Sequence, residues 1–354
     1  MSKRCALMMA GGTGGHIFPG LAVAKTLIEQ GWNVVWMGTP GSMEARIVPA
    51  HGIEFQTIEF GGVRGKGVAR WLALPWRLGR AWMQARRLVQ QVNAQVVIGM
   101  GGYVTVPGAL AARSLGVPIV LHEQNAIAGM ANRYLARMAA RSFSAFPNAL
   151  EGAQWVGNPL RSEFCSQDLP QQRYAERTGP LRVLVVGGSL GAQALNQMVP
   201  QALALLSHSE RPIVTHQSGE KHVAALVQAY EQAGVRAECV AFIDNMAQRM
   251  ADADLVICRS GASTVTEMAA VGVAALMVPF PHAVDNHQTA NARFLADQQA
   301  GWVTQQTVWT ARWLADWIRG KDRNALALAA QKAHALKQCD AAQAVAQACA
   351  EVVS

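Results

Sequence analysis

The first 160 residues contain no aspartate. Their 15 Lys and Arg face six Glu, a balance of +9, whereas residues 161–354 carry 16 basic against 17 acidic side chains, a balance of −1. Between Glu59 and Glu123 there is no acidic side chain at all, while Arg64, Lys66, Arg70, Arg77, Arg80, Arg86, Arg87 and Arg113 fall in that stretch. So one-sided a half points to an anionic partner: membrane lipid, a phosphorylated substrate or nucleic acid. Other things are scarce as well. Only 15% of the 354 residues are charged and 51% are hydrophobic, which excludes a disordered chain and leaves ample core for two domains. The six Cys form no CxxC pair, so a zinc ribbon or dithiol motif is excluded and buried reduced thiols are expected. No low-complexity tract or long polar linker is present. The longest uncharged apolar stretch, Met268 to Val284, is interrupted by Gly272, Pro279 and Pro281. It falls short of a membrane span, which needs about 20 apolar residues. The apolar run near the N-terminus is too short for a secretory signal and ends in a glycine loop.

What is present is glycine in two clusters. GGTGGH (11–16) follows the apolar run CALMMA, and GGSLGA (187–192) follows LRVLVV; each opens a helix-like segment. Closely spaced glycines bring backbone N–H groups near a phosphate, and the helix N-terminus behind them adds favourable partial charge. The same βα unit therefore starts twice, about half a chain apart. NVVWMG, IEFQTIEF, QVVIGM, PIVLHE and RSFSAF continue the first half as β-type runs; PIVTHQS, AECVAFI, DLVICRS and AALMVPF continue the second. Strict alternation with near-continuous apolar strands predicts parallel sheets covered on both faces by helices. The join is expected between Val156 and Gly179. The Ala-rich tail from Lys321 reads as helical.

GGTGGH lacks the last glycine of a dinucleotide fingerprint, since Ile17 stands there, which disfavours a nicotinamide enzyme. GGVRGKG (61–67) is not a Walker A loop. GGSLG fits the G-x-S-x-G nucleophile elbow, or else Ser189 donates to a phosphate. His16 sits at the end of the first loop, at the edge of the sheet where ligands bind, and is a candidate for acid–base work. RSGASTVTE (259–267) puts Ser260, Gly261, Ser263 and Thr264 at a helix start with Glu267 one turn inside. Hydroxyls and N–H groups there suit a diphosphate, and a carboxylate suits sugar hydroxyls; a capping arrangement is the plainer alternative. Asp252 and Asp254 have DxD spacing but read better as a polar helix–strand junction. Trp71, Leu74, Leu78 and Trp82 recur at helical spacing among Arg70, Arg77, Arg80 and Arg86. That stripe is either core-facing or an interfacial surface with unopposed arginines on anionic lipid.

Together GGTGGHIFPGLAVA, GMGGYVTVPG, HEQNAIAG, VGNPLR, VVGGSLGA, FIDNMA, RSGASTVTE and PFPHAVDNHQTANA resemble the MurG family in order and spacing. These are bacterial N-acetylglucosaminyltransferases that convert lipid I to lipid II in peptidoglycan synthesis. The resemblance implies a GT-B fold: two Rossmann-like parallel-sheet domains facing across a cleft, residues 1–160 and 161–338, with a helix at 339–354 that packs back on the first. It implies inverting transfer from UDP-N-acetylglucosamine to the acceptor 4-hydroxyl, with no cofactor and no metal. Donor contacts would fall on Thr13, Gly14, Gly15, Asn125, Arg161, Ser189, Ile243, Ala262, Ser263, Thr264, Val265, Thr266, Glu267 and Gln288. Arg161 and Ser189 suit phosphate, the Ile243 backbone uracil, Glu267 the ribose, and Gln288 a sugar hydroxyl; His287 departs from the Gln the family often has there. His16 would be catalytic, as base or as phosphate donor. Gly101, Gly102 and Tyr103 would meet the lipid-linked acceptor. Trp71, Leu74, Trp76, Arg77, Leu78, Arg80 and Trp82 would form a patch on anionic lipid at the cytoplasmic face of the inner membrane, where cell-wall and division proteins are further expected partners. The alternative is another GT-B sugar-nucleotide enzyme, such as a UDP-sugar epimerase. A nucleic-acid partner is not expected, because it leaves the Trp-bearing stripe and the glycine loops without a use.

Overall fold

The computed structural model describes residues 3–61, 73–188 and 191–353. The chain divides into two units, one of Met1–Leu160 with Cys339–Ser354 and one of Arg161–Gln338. The first is a parallel sheet of β1 (Cys5–Met9), β2 (Asn33–Gly38), β3 (Glu54–Thr57), β4 (Val96–Gly99), β5 (Ile119–Glu123), β6 (Arg141–Ser144) and β7 (Gln154–Trp155). Its order is β3-β2-β1-β4-β5-β6-β7. The second contains β8 (Arg182–Val186), β9 (Ile213–Gln217), β10 (Glu238–Val240), β11 (Leu255–Cys258), β12 (Ala274–Met277) and β13 (Trp302–Val303), in the order β10-β9-β8-β11-β12-β13. Every pairing is parallel.

The central strands are apolar because helices cover both faces. Leu7, Met8 and Met9 of β1 are fully enclosed, and so are Val256 and Ile257 of β11. Each such side chain contributes roughly 1.5–3 kcal/mol by leaving water. Positive-φ glycines Gly31, Gly52 and Gly116 follow helix ends, where a side chain would be strained. The strands the sequence did not signal, β7 and β13, are two residues each, too short for a period to show. In the first unit the helix Ala341–Val353 returns to α1 (Gly14–Glu29), placing Val345, Ala346 and Cys349 in one cluster with Ile17, Val23 and Leu27.

In both sheets the order reverses beside the opening strand: β1 lies between β2 and β4, and β8 between β9 and β11. Ligands of doubly wound sheets bind at that switch, outside the carboxyl ends of the strands. Both glycine loops emerge there.

The base of the second sheet is held by a buried carboxylate. Asp254 is fully enclosed and meets Arg177 Nη1 at 2.9 Å, Arg323 at 3.2 Å and the Arg182 amide at 2.8 Å. Burial pushes its carboxyl up, but these three donors outweigh burial and hold it below its usual value. It is therefore a structural clamp, not half of a metal-binding DxD pair. Of the cysteines, Cys5, Cys258 and Cys349 are buried free thiols and Cys239 is a half-buried one.

Candidate active site

In the first unit the loop after β1 is fixed group by group. Trp36 Nε1 donates to Ala10 O at 2.9 Å, and Gly11 N donates to Gly101 O at 3.3 Å. Thr13 is the extended N-cap of α1, with no side-chain capping bond, so its hydroxyl is not committed to the helix. His16 belongs to the first turn of α1 rather than to the loop. Its Nδ1 lies 3.0 Å from Gly11 O. A carbonyl only accepts, so Nδ1 carries a proton, and in that tautomer Nε2 is the acceptor. Gly14 and Gly15 supply first-turn N–H groups, which a helix leaves without intrahelical partners.

Gly101 and Gly102 have φ of +96° and +92°. A Cβ on Gly101 would come within 2.8 Å of the His16 ring, and one on Gly102 within 2.4 Å of Gly11 O. Their smallness lets β4's loop close onto the first glycine loop. Tyr103, beside them, is 49% exposed. Glu123, at the end of β5, organises the next loop: Oε1 accepts from Asn125 N at 2.9 Å, and Oε2 from Asn132 Nδ2 at 2.8 Å and Gly129 N at 3.2 Å. His122 is buried and donates through Nε2 to Gly157 O at 2.9 Å; burial lowers its pKa to about 4, so it stays neutral.

In the second unit a cavity of about 710 Å³ opens at the switch between β8 and β11. Gly187, Gly188 and Gly191 border it on one side, Gly261 and Thr264 on another, and Gln288 on a third. Ser189 lies outside the described residues. The helix Ala262–Val271 starts on Gly261 without any side-chain cap, which removes the capping reading of Ser263 and Glu267. Ser260 Oγ and Ser263 Oγ are enclosed and have no hydrogen-bond partner among the described residues. Ala262, Val265 and Thr266 are buried, so only their backbone is available to a ligand. Ile243 is likewise buried.

Glu267 keeps slight contact with solvent, but its carboxyl is enclosed. Burial raises its pKa from 4.5 to about 7; the Arg161 charge works against that rise and the Glu163 charge adds to it. Arg161 itself pairs with Glu163 at 3.0 Å and lies over the Phe164 ring. Gln288 Oε1 accepts from Phe280 N at 2.8 Å.

A match to the glycosyltransferase family 28 N-terminal domain spans residues 6–144, and one to the family 28 C-terminal domain spans residues 182–348. The chain belongs to glycosyltransferase family 28. Within it, the chain is 57% identical over 351 residues to a protein of Paracidovorax citrulli, covering 99% of each. It is 56% identical over 355 residues to one of Burkholderia thailandensis, covering 99% of this chain and 97% of that one. Both bear the name UDP-N-acetylglucosamine–N-acetylmuramyl-(pentapeptide) pyrophosphoryl-undecaprenol N-acetylglucosamine transferase. The crystal structure of Acinetobacter baumannii MurG superposes with a TM-score of 0.88 at 42% identity, covering 98% of this chain and 99% of that one. The two sheets are the pair of Rossmann-like domains of the GT-B fold.

Sequence reasoning missed several residues of this family 28 chain. Arg259 borders the cavity, held by Val278 O at 2.9 Å and Gln306 Oε1 at 2.6 Å, and Gln193 and Gln197 border it too. Arg259 stood inside a quoted motif; the glutamines carry no local signal. Glu44 was missed altogether: it is fully buried, and its carboxylate accepts from Gly12 N at 3.2 Å.

Trp71 lies outside the described residues. In the helix Leu74–Gln91, Leu74, Leu78 and Trp82 are half-buried against the core, whereas Trp76 is 78% exposed. Arg80 is not unopposed, since Glu59 meets it at 2.8 Å. Sequence distance hid that pairing. Arg77 reaches back to Gly61 O at 3.5 Å. No helix among the described residues is long and apolar enough to cross a membrane, and no group of three His, Cys, Asp or Glu among them has the arrangement of a metal site.

Proposed function

We propose that this enzyme transfers N-acetylglucosamine from UDP-N-acetylglucosamine to the 4-hydroxyl of the N-acetylmuramyl group of undecaprenyl-pyrophosphoryl-N-acetylmuramyl-pentapeptide, with inversion, in peptidoglycan synthesis. The observation that carries this reading is the second unit's cavity. It joins a glycine loop, an uncapped helix N-terminus, Thr264 and Arg259, donors that suit a nucleotide diphosphate, in a chain whose full-length relatives bear that name. Helix N–H groups, Ser263, Thr264 and Arg161 take up charge on the departing UDP. Glu267 accepts from the ribose, Gln288 from a sugar hydroxyl, and the Ile243 backbone reads uracil. The first unit receives the acceptor: Tyr103 offers a hydroxyl, and His16 Nε2 takes the proton of the attacking 4-hydroxyl.

The basic first unit meets anionic lipid through Trp76 and Arg77, with Arg80 contributing once Glu59 is displaced. On this reading the enzyme works peripherally on the cytoplasmic face of the inner membrane, with cell-wall and division proteins as further partners. Nothing in the relatives' names favours an epimerase.

A transfer assay tests the reading. Radiolabel from UDP-N-acetylglucosamine should pass to lipid I or a short-chain analogue, and His16→Ala should slow it about 10²-fold or more. A base loses rate as pH falls, whereas a cationic phosphate donor loses rate as pH rises. Epimerised sugar nucleotide without transfer would overturn the assignment.

A further inference from the structure

The peptide group between Gly11 and Gly12 is held at both ends. Its carbonyl, Gly11 O, accepts from His16 Nδ1 at 3.0 Å, and its amide, Gly12 N, donates to Glu44 Oε2 at 3.2 Å. Glu44 Oε1 accepts from Thr39 N at 3.3 Å and Thr39 Oγ1 at 3.2 Å. The carboxylate is wholly buried in the first turn of α2 (Met43–Ala50) and forms no ion pair among the described residues. An enclosed carboxylate without a cation is expensive. Here three hydrogen bonds and the positive end of α2 offset that cost. Glycine is required on both sides of it: a Cβ on Gly11 would fall 2.6 Å from Glu44 Oε1, and one on Gly38 2.8 Å from its Cγ.

We propose that Glu44 is a positioning residue for His16, acting through one intervening peptide group. The order is carboxylate, Gly12 N–H, Gly11 C=O, His16 Nδ1–H. A negative charge on the N–H side polarises the amide and makes its carbonyl a stronger acceptor. That favours the Nδ1–H tautomer, keeps the lone pair on Nε2 and stabilises the imidazolium once Nε2 has taken a proton. The Nδ1 proton stays on the ring throughout and none passes to Glu44. The arrangement does what an aspartate bonded directly to a catalytic histidine does, with a peptide inserted. It rests on the reading of His16 as a proton acceptor and adds the group that sets the ring's tautomer.

The test compares Glu44→Gln, His16→Ala and the double variant with a water-soluble acceptor, and records the imidazole ¹⁵N spectrum, the His16 signals being those missing in His16→Ala. Glu44→Gln keeps the shape but sets an amide donor against backbone donors. It should lower kcat about 10²-fold, leave KM for UDP-N-acetylglucosamine unchanged, and cause no further loss on the His16→Ala background. The ring should shift toward its Nε2–H tautomer. An equal loss on both backgrounds, or an unchanged ring spectrum, would overturn the proposal. If His16→Ala itself turns over like the parent, the base reading falls, and the ring spectrum alone decides the coupling. If Glu44→Gln does not fold, Glu44→Asp keeps the charge but draws it back from Gly12 N; the same tautomer shift in smaller measure supports the relay, and none overturns it.

Discussion

Replacing Glu267 by Gln should make the enzyme more stable and a poorer binder of its donor at the same time. The carboxyl's pKa stands at about 7 instead of 4.5, chiefly because burial disfavours its charge. That displacement corresponds to about 3 kcal/mol. Its sign follows from proton counting. Between pH 4.5 and about 7 the native state holds a proton that the unfolded state has released, so stability falls as pH rises through this window and the loss is complete above it. Glutamine does not titrate. The stability advantage of Glu267→Gln over the parent should therefore grow by about 2–3 kcal/mol between pH 5 and pH 8. Hydrogen exchange of the β11 and β12 amides measures it, because those strands report the second unit's own opening.

Donor affinity should move the other way. A carboxylate accepting a hydroxyl contributes about 1.5–3 kcal/mol, so Glu267→Gln should bind UDP-N-acetylglucosamine about 10- to 100-fold more weakly above pH 7. In the parent, binding near pH 6.5 should release a proton, visible as a dependence of calorimetric heat on the buffer. Unchanged affinity together with parallel pH profiles of stability would refute the assignment.

Gly102→Ala should destabilise the first unit by at least about 1–2 kcal/mol from its left-handed backbone alone, with the 2.4 Å approach to Gly11 O adding to it; an unaltered urea midpoint would refute this. Arg177→Ala leaves Asp254 short of a cation in a pair only 8% and 0% exposed, and should destabilise the second unit by about 3–5 kcal/mol. A loss in the range of exposed pairs, about 0–1 kcal/mol, would mean that Arg323 alone suffices. Trp76→Ala with Arg77→Glu should weaken binding to anionic vesicles at low salt and leave turnover of a water-soluble acceptor intact; equal vesicle binding by variant and parent would remove the patch.

The central strands were readable because burial on both faces fills most of each run with apolar side chains. NVVWMG and RVLVV show this; the two-residue edge strands do not, since an edge needs only a pair of hydrogen bonds and imposes no pattern. The glycine loops were readable for a related reason. Only a backbone that must come close to something needs so many residues without Cβ. The sequence does not say what the close neighbour is. At Gly14 and Gly15 a ligand is the natural candidate, but at Gly101 and Gly102 the neighbours are His16 and Gly11 of the same unit. Glycines read as meeting the acceptor thus act first on the loop that leads into His16.

Glu44 and Arg177 escaped reading because each has a partner far along the chain. Glu44 bonds across 32 residues to Gly12, and Arg177 across 77 to Asp254. Helical spacing carries no trace of either pairing, and composition counts Glu44 as one more acidic side chain in a basic half. Arg80 and Glu59 make the same point at the surface, where distance in sequence made an opposed arginine look free. A buried charge betrays itself only through what the fold brings to it. In Glu44 the fold brings the amide of the peptide whose carbonyl orients His16. The acid-poor first 160 residues therefore spend two of their six glutamates, Glu44 and Glu123, in the core, and Glu44 lies next to the loop that opens the site. If the relay holds, that burial is part of how the base is set, and the desolvation of Glu44 is offset by the same hydrogen bonds that align the ring.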